Sequence, residues 1–256
     1  MIHPTAVVSK TAEIADDVEI GPYVVVGDNV VIDSGTRIDS HTVINGPTEI
    51  GKDNRIYQFA SIGDDPQDKK YRDEPTRLVI GDRNTIREYC TISRGTVDDE
   101  GLTSLGDDNW IMAYVHIAHD CRVGSKTIMA NNTTLAGHVH VGDWVIFGGF
   151  AGAHQFCRIG PHAFLGMYAA VSRDVPAYTM IAGSPALPRG INSEGLKRRG
   201  FTTEQIRNIK NAYRIVYRQN KKLVEAIDEI SALAATQPEL EALLASLRNS
   251  ERGLIR

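Results

Sequence analysis

The residues best able to do chemistry sit in one short run, His116-Ile117-Ala118-His119-Asp120. An imidazole followed by a carboxylate has the makings of a general base with an orienting acid: one ring nitrogen takes a proton while the other is held. A lone surface histidine is usually inert, and His140 and His162 read that way. His119 differs because of what recurs after it. Gly137 lies eighteen positions further on and Gln155 thirty-six, while His138 lies eighteen beyond Asp120. Those intervals matter only if the fold stacks residues eighteen apart.

The rest of the sequence says that it does. An aliphatic residue returns every sixth position from Ile2 through Val8, Ile14, Ile20, Val26, Ile32, Ile38, Ile44, Ile50 and Ile56 to Ile62. The rhythm resumes at Ile80, Ile86 and Ile92, and again from Leu105 through Ile111, Ile117, Val123, Met129 and Leu135 to Val171. Glycine often follows, as at Gly21, Gly51 and Gly81, and the slot two places earlier is small, as at Ala12, Thr36, Ala60 and Ala151. A hexapeptide repeat of this kind builds a parallel β-helix whose short strands each bury one large side chain. Three hexads close a triangular coil of eighteen residues, and coils stack roughly 4.8 Å apart like strands in any sheet. Such chains resemble the left-handed β-helix class, and the handedness is implied by that resemblance rather than by the period. The expected fold is therefore an all-β left-handed parallel β-helix over residues 1–185, followed by a C-terminal α-helical domain over 186–256.

In this register His116, His119, Asp120, Gly137, His138 and Gln155 share one prism edge. An exposed imidazole beside a backbone without a side chain suits a base next to an oxyanion donor, the pair that acyl transfer requires. The metal alternative, as in β-helical carbonic anhydrases, needs three converging imidazoles. The column above His119 offers Gly137 and Gln155 instead, so no metal is expected. Cys90, Cys121 and Cys157 occupy the small inward slot and read as packing residues.

Two polar stretches, 64–79 and 95–104, interrupt the hexads and should loop out of the prism, where binding groups usually sit. Within the latter stretch, Asp98-Asp99-Glu100-Gly101 reads as a solvated loop. The repeat fades after Val175, and Gly183-Ser184-Pro185 and Pro188-Arg189-Gly190 mark a linker. Helices are expected from Thr202 or Thr203, across Leu223 to Ala235, and across Glu239 to Leu247 behind Pro238, capping the last coil. A formal charge of -4 over 256 residues argues against general nucleic-acid binding. The chain shows neither a basic-then-apolar leader nor an apolar run of the roughly 20 residues a membrane span needs, so a cytoplasmic protein is expected.

The chain resembles the UDP-N-acetylglucosamine O-acyltransferases that open lipid A synthesis. The likeness runs end to end and rests on Gln58-Phe59-Ala60-Ser61-Ile62-Gly63, Gln67-Asp68, Gly95-Thr96-Val97, His116 to Cys121, Leu135-Ala136-Gly137-His138, His154-Gln155-Phe156-Cys157 and Glu194 to Phe201. The resemblance implies transfer of an (R)-3-hydroxyacyl group from acyl carrier protein to the 3-hydroxyl of UDP-N-acetylglucosamine. It makes His119 the base, Asp120 its holder and the Gly137 amide the oxyanion donor. It places Asp68, Lys70, His116, His138 and Gln155 against glucosamine or pantetheine, and Asn192, Glu194, Arg198 and Arg199 against the nucleotide. Met167 matches the position that limits acyl length. No cofactor is implied beyond the 4'-phosphopantetheine that arrives on the carrier, and the family works as homotrimers with sites in the clefts between subunits. Lys197, Arg198, Arg199, Lys210, Arg214, Lys221 and Lys222 offer a basic patch for the acidic carrier.

Three rivals compete with this reading. The sister N-acyltransferase of the pathway carries an extra N-terminal uridine-binding domain, whereas the hexads here begin at Ile2. A homologue acting on a 3-amino nucleotide sugar would give an amide. A non-catalytic scaffold would keep the hexads without the His119 cluster.

Overall fold

The computed structural model describes residues 1–256. From Val7 onward each hexad forms a strand of two to four residues, and the strands assemble into three faces of nine, eight and ten strands, parallel but for the last strand of the third. Successive strands belong to successive faces, so the chain winds round a triangular prism. The first face contains Val7–Val8, Ser61–Asp64, Thr91–Ser93, His116–Ile117 and Thr134–Leu135; the second contains Arg77–Ile80, Leu102–Leu105 and Arg122–Val123; the third contains Trp110–Ile111, Ile128–Met129 and Phe164–Leu165. Residues eighteen apart pair directly wherever no insertion intervenes, as His116 with Thr134 and Leu135 with Ala153. The fold is a left-handed parallel β-helix.

One aliphatic side chain per strand fills the prism, and Ile44, Ile56, Ile62, Ile86, Ile111, Met129 and Phe147 are fully buried. Each such burial is worth roughly 1.5–3 kcal/mol, which is why two-residue strands suffice. The inward slot is not always alanine, valine, threonine or cysteine, however. Asn54, Asn84 and Asn109 occupy it as a buried ladder, in which Asn54 Oδ1 accepts from the Asn84 amide and Asn84 Oδ1 from the Asn109 amide, both at 2.9 Å. The ladder satisfies amides that an aliphatic side chain would leave bare. The three cysteines are buried free thiols whose ionisation burial pushes up, to about 12 at Cys90 and Cys121 and about 11 at Cys157.

The winding does not stop at Val175. Thr179–Ala182 adds one more parallel strand to the third face, and Leu187–Ile191 pairs antiparallel with it. Pro188-Arg189-Gly190 is thus part of a strand rather than a free linker, because the last open edge needs a partner. Four helices follow: α1 Ser193–Arg198, α2 Thr203–Arg218, α3 Leu223–Ala234 and α4 Glu241–Arg248. Thr202 caps α2 in a reciprocal box with Gln205. The helices bury Leu196, Ile209, Val216, Ile230 and Leu244 against Ala177 and Tyr178 at the end of the prism. The chain then returns: Asp174, 2% exposed, accepts from Ser250 Oγ and the Glu251 and Arg252 amides at 2.8 to 3.0 Å. No helix is long and apolar enough to cross a membrane.

Candidate active site

Both excursions leave from the same corner. Ser61–Asp64 and Thr91–Ser93 lie on the first face, and the chain rejoins the second face at Arg77 and Leu102. His119 and Asp120 turn that same corner one coil later, since Thr91 pairs with His116 and Ile92 with Ile117. The insertions therefore roof the edge that carries the histidine cluster.

The roof changes the character of that edge. His119 is only 6% exposed and Asp120 is fully buried, whereas the sequence reads His119 as an exposed imidazole. A hexad corner faces outward, but here the second excursion folds back over it. The Thr96 amide donates to Asp120 Oδ1 at 2.9 Å and the Thr96 hydroxyl to Oδ2 at 2.6 Å. The Asp120 amide donates to Thr103 Oγ1 at 2.8 Å. Asp98, Asp99 and Glu100 are exposed, as the sequence reading expects, yet the loop is tied to the edge: Asp99 Oδ2 lies 3.0 Å from His138 Nδ1, and Glu100 pairs with Arg122 at 2.8 Å. The first excursion is tied down by Arg94, which donates to the Gly63 carbonyl at 2.6 Å, to the Tyr71 hydroxyl at 3.0 Å and to the Asp65 carboxylate.

Within this enclosure His119 Nδ1 lies 2.8 Å from Asp120 Oδ2. A carboxylate that already accepts from Thr96 can only accept again, so the ring carries its hydrogen on Nδ1 and presents Nε2 as a base. Gly137 sits directly above. A Cβ built there would lie 2.5 to 3.1 Å from three atoms of the His119 ring, so only glycine lets the ring occupy this space. The Gly137 amide donates to no protein acceptor, while its carbonyl accepts from the Phe156 amide at 3.2 Å and continues the stack. His138 meets His119 edge-on with centroids 5.1 Å apart and stacks on Phe156 at 4.4 Å. Gln155 is exposed, one coil beyond Gly137.

The other residues expected at this corner surround the pair. His116 Nδ1 lies 2.7 Å from Thr91 Oγ1; burial, then the neighbouring His119, lowers its proton affinity. Asp68 and Lys70 stand on the first excursion. The Lys70 amide, 3.0 Å from Asp68 Oδ1, holds the Asp68 carboxyl below the usual range; burial opposes this, and the charges of His119, Lys70 and His138 add to it. The Lys70 ammonium reaches Asp98 at 3.3 Å and bridges the two excursions. His119, Asp120 and His138 also bring one possible metal-ligand atom each within 4.8 Å of one another. Asp120 Oδ2 is already engaged by Thr96 and His119, so the wiring favours a proton-handling pair over a cation site.

The remaining expected residues lie elsewhere in the protomer. Asn192 caps α1, accepting from the Gly195 amide at 3.1 Å and donating to the His162 carbonyl at 3.0 Å. Glu194 pairs with Lys197 at 2.9 Å, and Arg198 is exposed. Arg199 donates to His162 Nδ1 at 3.0 Å and lies 5.1 Å from the Trp144 ring. Burial lowers the proton affinity of Arg199, and burial with the Arg199 charge brings His162 down to about 4. Trp144 and His162 stand at the corner between the second and third faces. Met167, 60% exposed, stands at the corner between the third and first faces, its Cε 4.0 Å from where a Cβ of Gly149 would be. Sequence reasoning missed roles for Arg94, Thr96, Asp99 and Thr103. The available signal was that both insertions leave from the corner directly beneath His119.

The comparisons with known proteins agree with this geometry. Residues 174–255 match the family described as Udp N-acetylglucosamine O-acyltransferase, Domain 2, and residues 11–46 and 103–137 match the bacterial transferase hexapeptide repeat. The acyl-[acyl-carrier-protein]--UDP-N-acetylglucosamine O-acyltransferase of Herminiimonas arsenicoxydans is 58% identical over 80% of this chain and 80% of its own. That of Thiobacillus denitrificans is 55% identical over 79% of each. The solved UDP-N-acetylglucosamine O-acyltransferase of Moraxella catarrhalis superposes with a TM-score of 0.99 at 49% identity, covering 100% of this chain and 99% of that one. Identity of this order along the solenoid, with a matching helical end, makes the chain a member of the acyl-[acyl-carrier-protein]--UDP-N-acetylglucosamine O-acyltransferase family, an acyltransferase.

Proposed function

We propose that the protein transfers an (R)-3-hydroxyacyl group from acyl carrier protein to the 3-hydroxyl of UDP-N-acetylglucosamine, the first step of lipid A biosynthesis, with His119 as general base. The observation that carries this reading is the juxtaposition of a buried His119–Asp120 pair with an undonated Gly137 amide one coil above. His119 Nε2 takes the proton of the attacking hydroxyl, and the new C–O bond turns the thioester carbonyl into an oxyanion that the Gly137 amide receives. Collapse expels the pantetheine thiolate, which recovers the proton from His119 and leaves as a free thiol. Asp120 keeps the ring in the required tautomer and steadies the imidazolium, as the third member of a triad does. The reaction needs no cofactor beyond the carrier's own pantetheine arm.

Placement supports a homotrimer. His119, Arg199 and Met167 belong to three different corners of one prism, so a single protomer does not gather base, nucleotide contacts and acyl limit. Packing corner against corner brings one protomer's base to its partners' other groups. Carrier protein docks on the basic run of α1 and α2, where Lys197, Arg198, Lys210 and Arg214 are exposed. The deciding experiment supplies carrier-bound 3-hydroxyacyl donors with UDP-N-acetylglucosamine or its 3-amino analogue, following free thiol and product mass. Ester formed with the first acceptor is expected. Amide formed only with the second transfers the mechanism to the amino sugar, and no thiol release with either rejects it.

A further inference from the structure

Across the enclosure from the Asp120–His119 pair stands a second carboxylate–imidazole pair. His138 Nδ1 lies 3.0 Å from Asp99 Oδ2, and the ring stacks on Phe156 and stands perpendicular to the His119 ring. The other nitrogen, Nε2, lies 3.8 Å from Asp120 Oδ2, beyond hydrogen-bond reach, and so points at the reacting pair without being consumed by it. Asp99 is itself fixed. Its Oδ1 accepts from the Glu100 amide at 2.9 Å and lies 3.8 Å from Arg122, which Glu100 holds in turn.

We propose that Asp99 is a positioning residue of the reaction: it holds His138 by Nδ1, so that the Nε2 edge stays turned toward the reacting centre beside His119. The assignment rests on the acyl-transfer reading above. Its logic is steric and tautomeric. With one face stacked on Phe156 and the His119 ring set perpendicular beside it, the main freedom left to His138 is rotation about the Cβ–Cγ bond, and Asp99 is the acceptor that selects one of the two orientations. A carboxylate that accepts from an imidazole N–H also fixes the hydrogen on that nitrogen. The Asp99 carboxyl is held below the usual range, first by the His138 hydrogen bond, as an ionised acceptor requires. The second excursion therefore serves two histidines: Thr96 braces Asp120 behind His119, and Asp99 braces His138 directly.

The test compares Asp99→Ala with Asp99→Asn in the full-length protein. Asparagine keeps an oxygen acceptor of the same reach, and alanine does not. In Asp99→Ala, kcat/KM for acyl transfer should fall by about tenfold, a modest part of what misplacing a reacting group costs. Asp99→Asn should recover to within about threefold of the parent, the pattern expected when lost acceptor geometry is the cause. Side-chain nitrogen spectra should show the His138 proton on Nδ1 in the parent and in Asp99→Asn, and redistributed between the nitrogens in Asp99→Ala. Thermal unfolding of each variant separates this from loss of fold. An alanine variant with more than half the parental kcat/KM, an asparagine variant no better than alanine, or unchanged His138 nitrogens in Asp99→Ala would overturn the assignment. The spectra do not depend on turnover, so they still judge Asp99 should His119 prove not to be the base.

Discussion

Two corners of the prism share a backbone and differ in everything else. Asp120 and His138 turn the corner between the first and second faces with φ of 59° and 61°, and Tyr89 and Tyr114 turn the corner between the third and first with 60° and 63°. At the latter corner Tyr23, His41, Phe59, Tyr89 and Tyr114 stack in an exposed ladder with centroids 4.9 to 5.2 Å apart. At the former His119 and Asp120 are buried, and they and the half-buried His138 are wired by hydrogen bonds. The left-handed turn therefore does not make a site. The inserted chain does, by excluding water from one corner and supplying the groups that a bare hexad lacks.

The largest effect that could break this contrast is at His119. His119→Ala should cost at least the roughly hundredfold in kcat typical of a lost general base. Circular dichroism and gel filtration should show an unchanged fold and assembly, because the core columns are untouched. A variant keeping more than a tenth of parental kcat would end the contrast as a catalytic one. Met167 asks whether the aromatic corner contributes selectivity instead. Its side chain lies over the open space at Gly149, so a donor of about ten to twelve carbons should be preferred to one of fourteen, each misplaced methylene being worth roughly 1 to 3 kcal/mol. Met167→Gly should move the optimum to longer chains with little change in nucleotide affinity. Competition between ten- and fourteen-carbon donors decides this, and an unmoved optimum means that Met167 is not the limit.

Thr96 probes the roof more finely. Thr96→Val removes the hydroxyl from Asp120 while keeping shape and the backbone bond, and should lower kcat about tenfold, the equivalent of one hydrogen bond to a charged group. Thr96→Ser should restore most of the rate; parental kcat in the valine variant would make the roof a cover only.

The smallest effect concerns stability at the third corner. The unfolded chain protonates His162 near its ordinary 6.5, but the folded chain does so only near 4. Between those values the unfolded state holds the extra proton, so this group costs the fold stability as pH falls from about 6.5 to about 4. His116 and His140, also lowered by burial, act in the same sense. His162→Gln should make the fall in Tm from pH 7 to pH 4.5 shallower but not flat. An identical slope would remove His162 from the account.

Much of this is legible in the chain alone. The sixfold return of aliphatic residues predicts the coils, and counting by eighteen brings Gly137 over His119 and His138 over Asp120, as observed. Thr202 with Gln205 announces the start of α2. What fails, fails where the period lapses. Asp98 to Glu100 reads as solvated and is exposed, but composition alone does not show that Asp99 reaches His138 and Glu100 reaches Arg122. The asparagine ladder escapes notice because Asn54, Asn84 and Asn109 break the run of alanine, valine, threonine and cysteine that most other slots keep.

The sequence by itself determined the rungs of this protein: which residues point inward, which share a column, and that an imidazole, a carboxylate and a bare glycine meet on one edge. It could do so because neighbours in a solenoid are set by a fixed interval along the chain, a purely local rule. Only the tertiary structure decided that His119 is buried, that Thr96 and Asp99 brace the two histidines, and that Arg199 and Met167 stand at other corners. Those contacts join residues whose separations, such as the 24 between Thr96 and Asp120 and the 39 between Asp99 and His138, follow no repeat. Such contacts form through the folding back of non-periodic chain, whose course is set by packing and hydrogen bonding rather than by spacing.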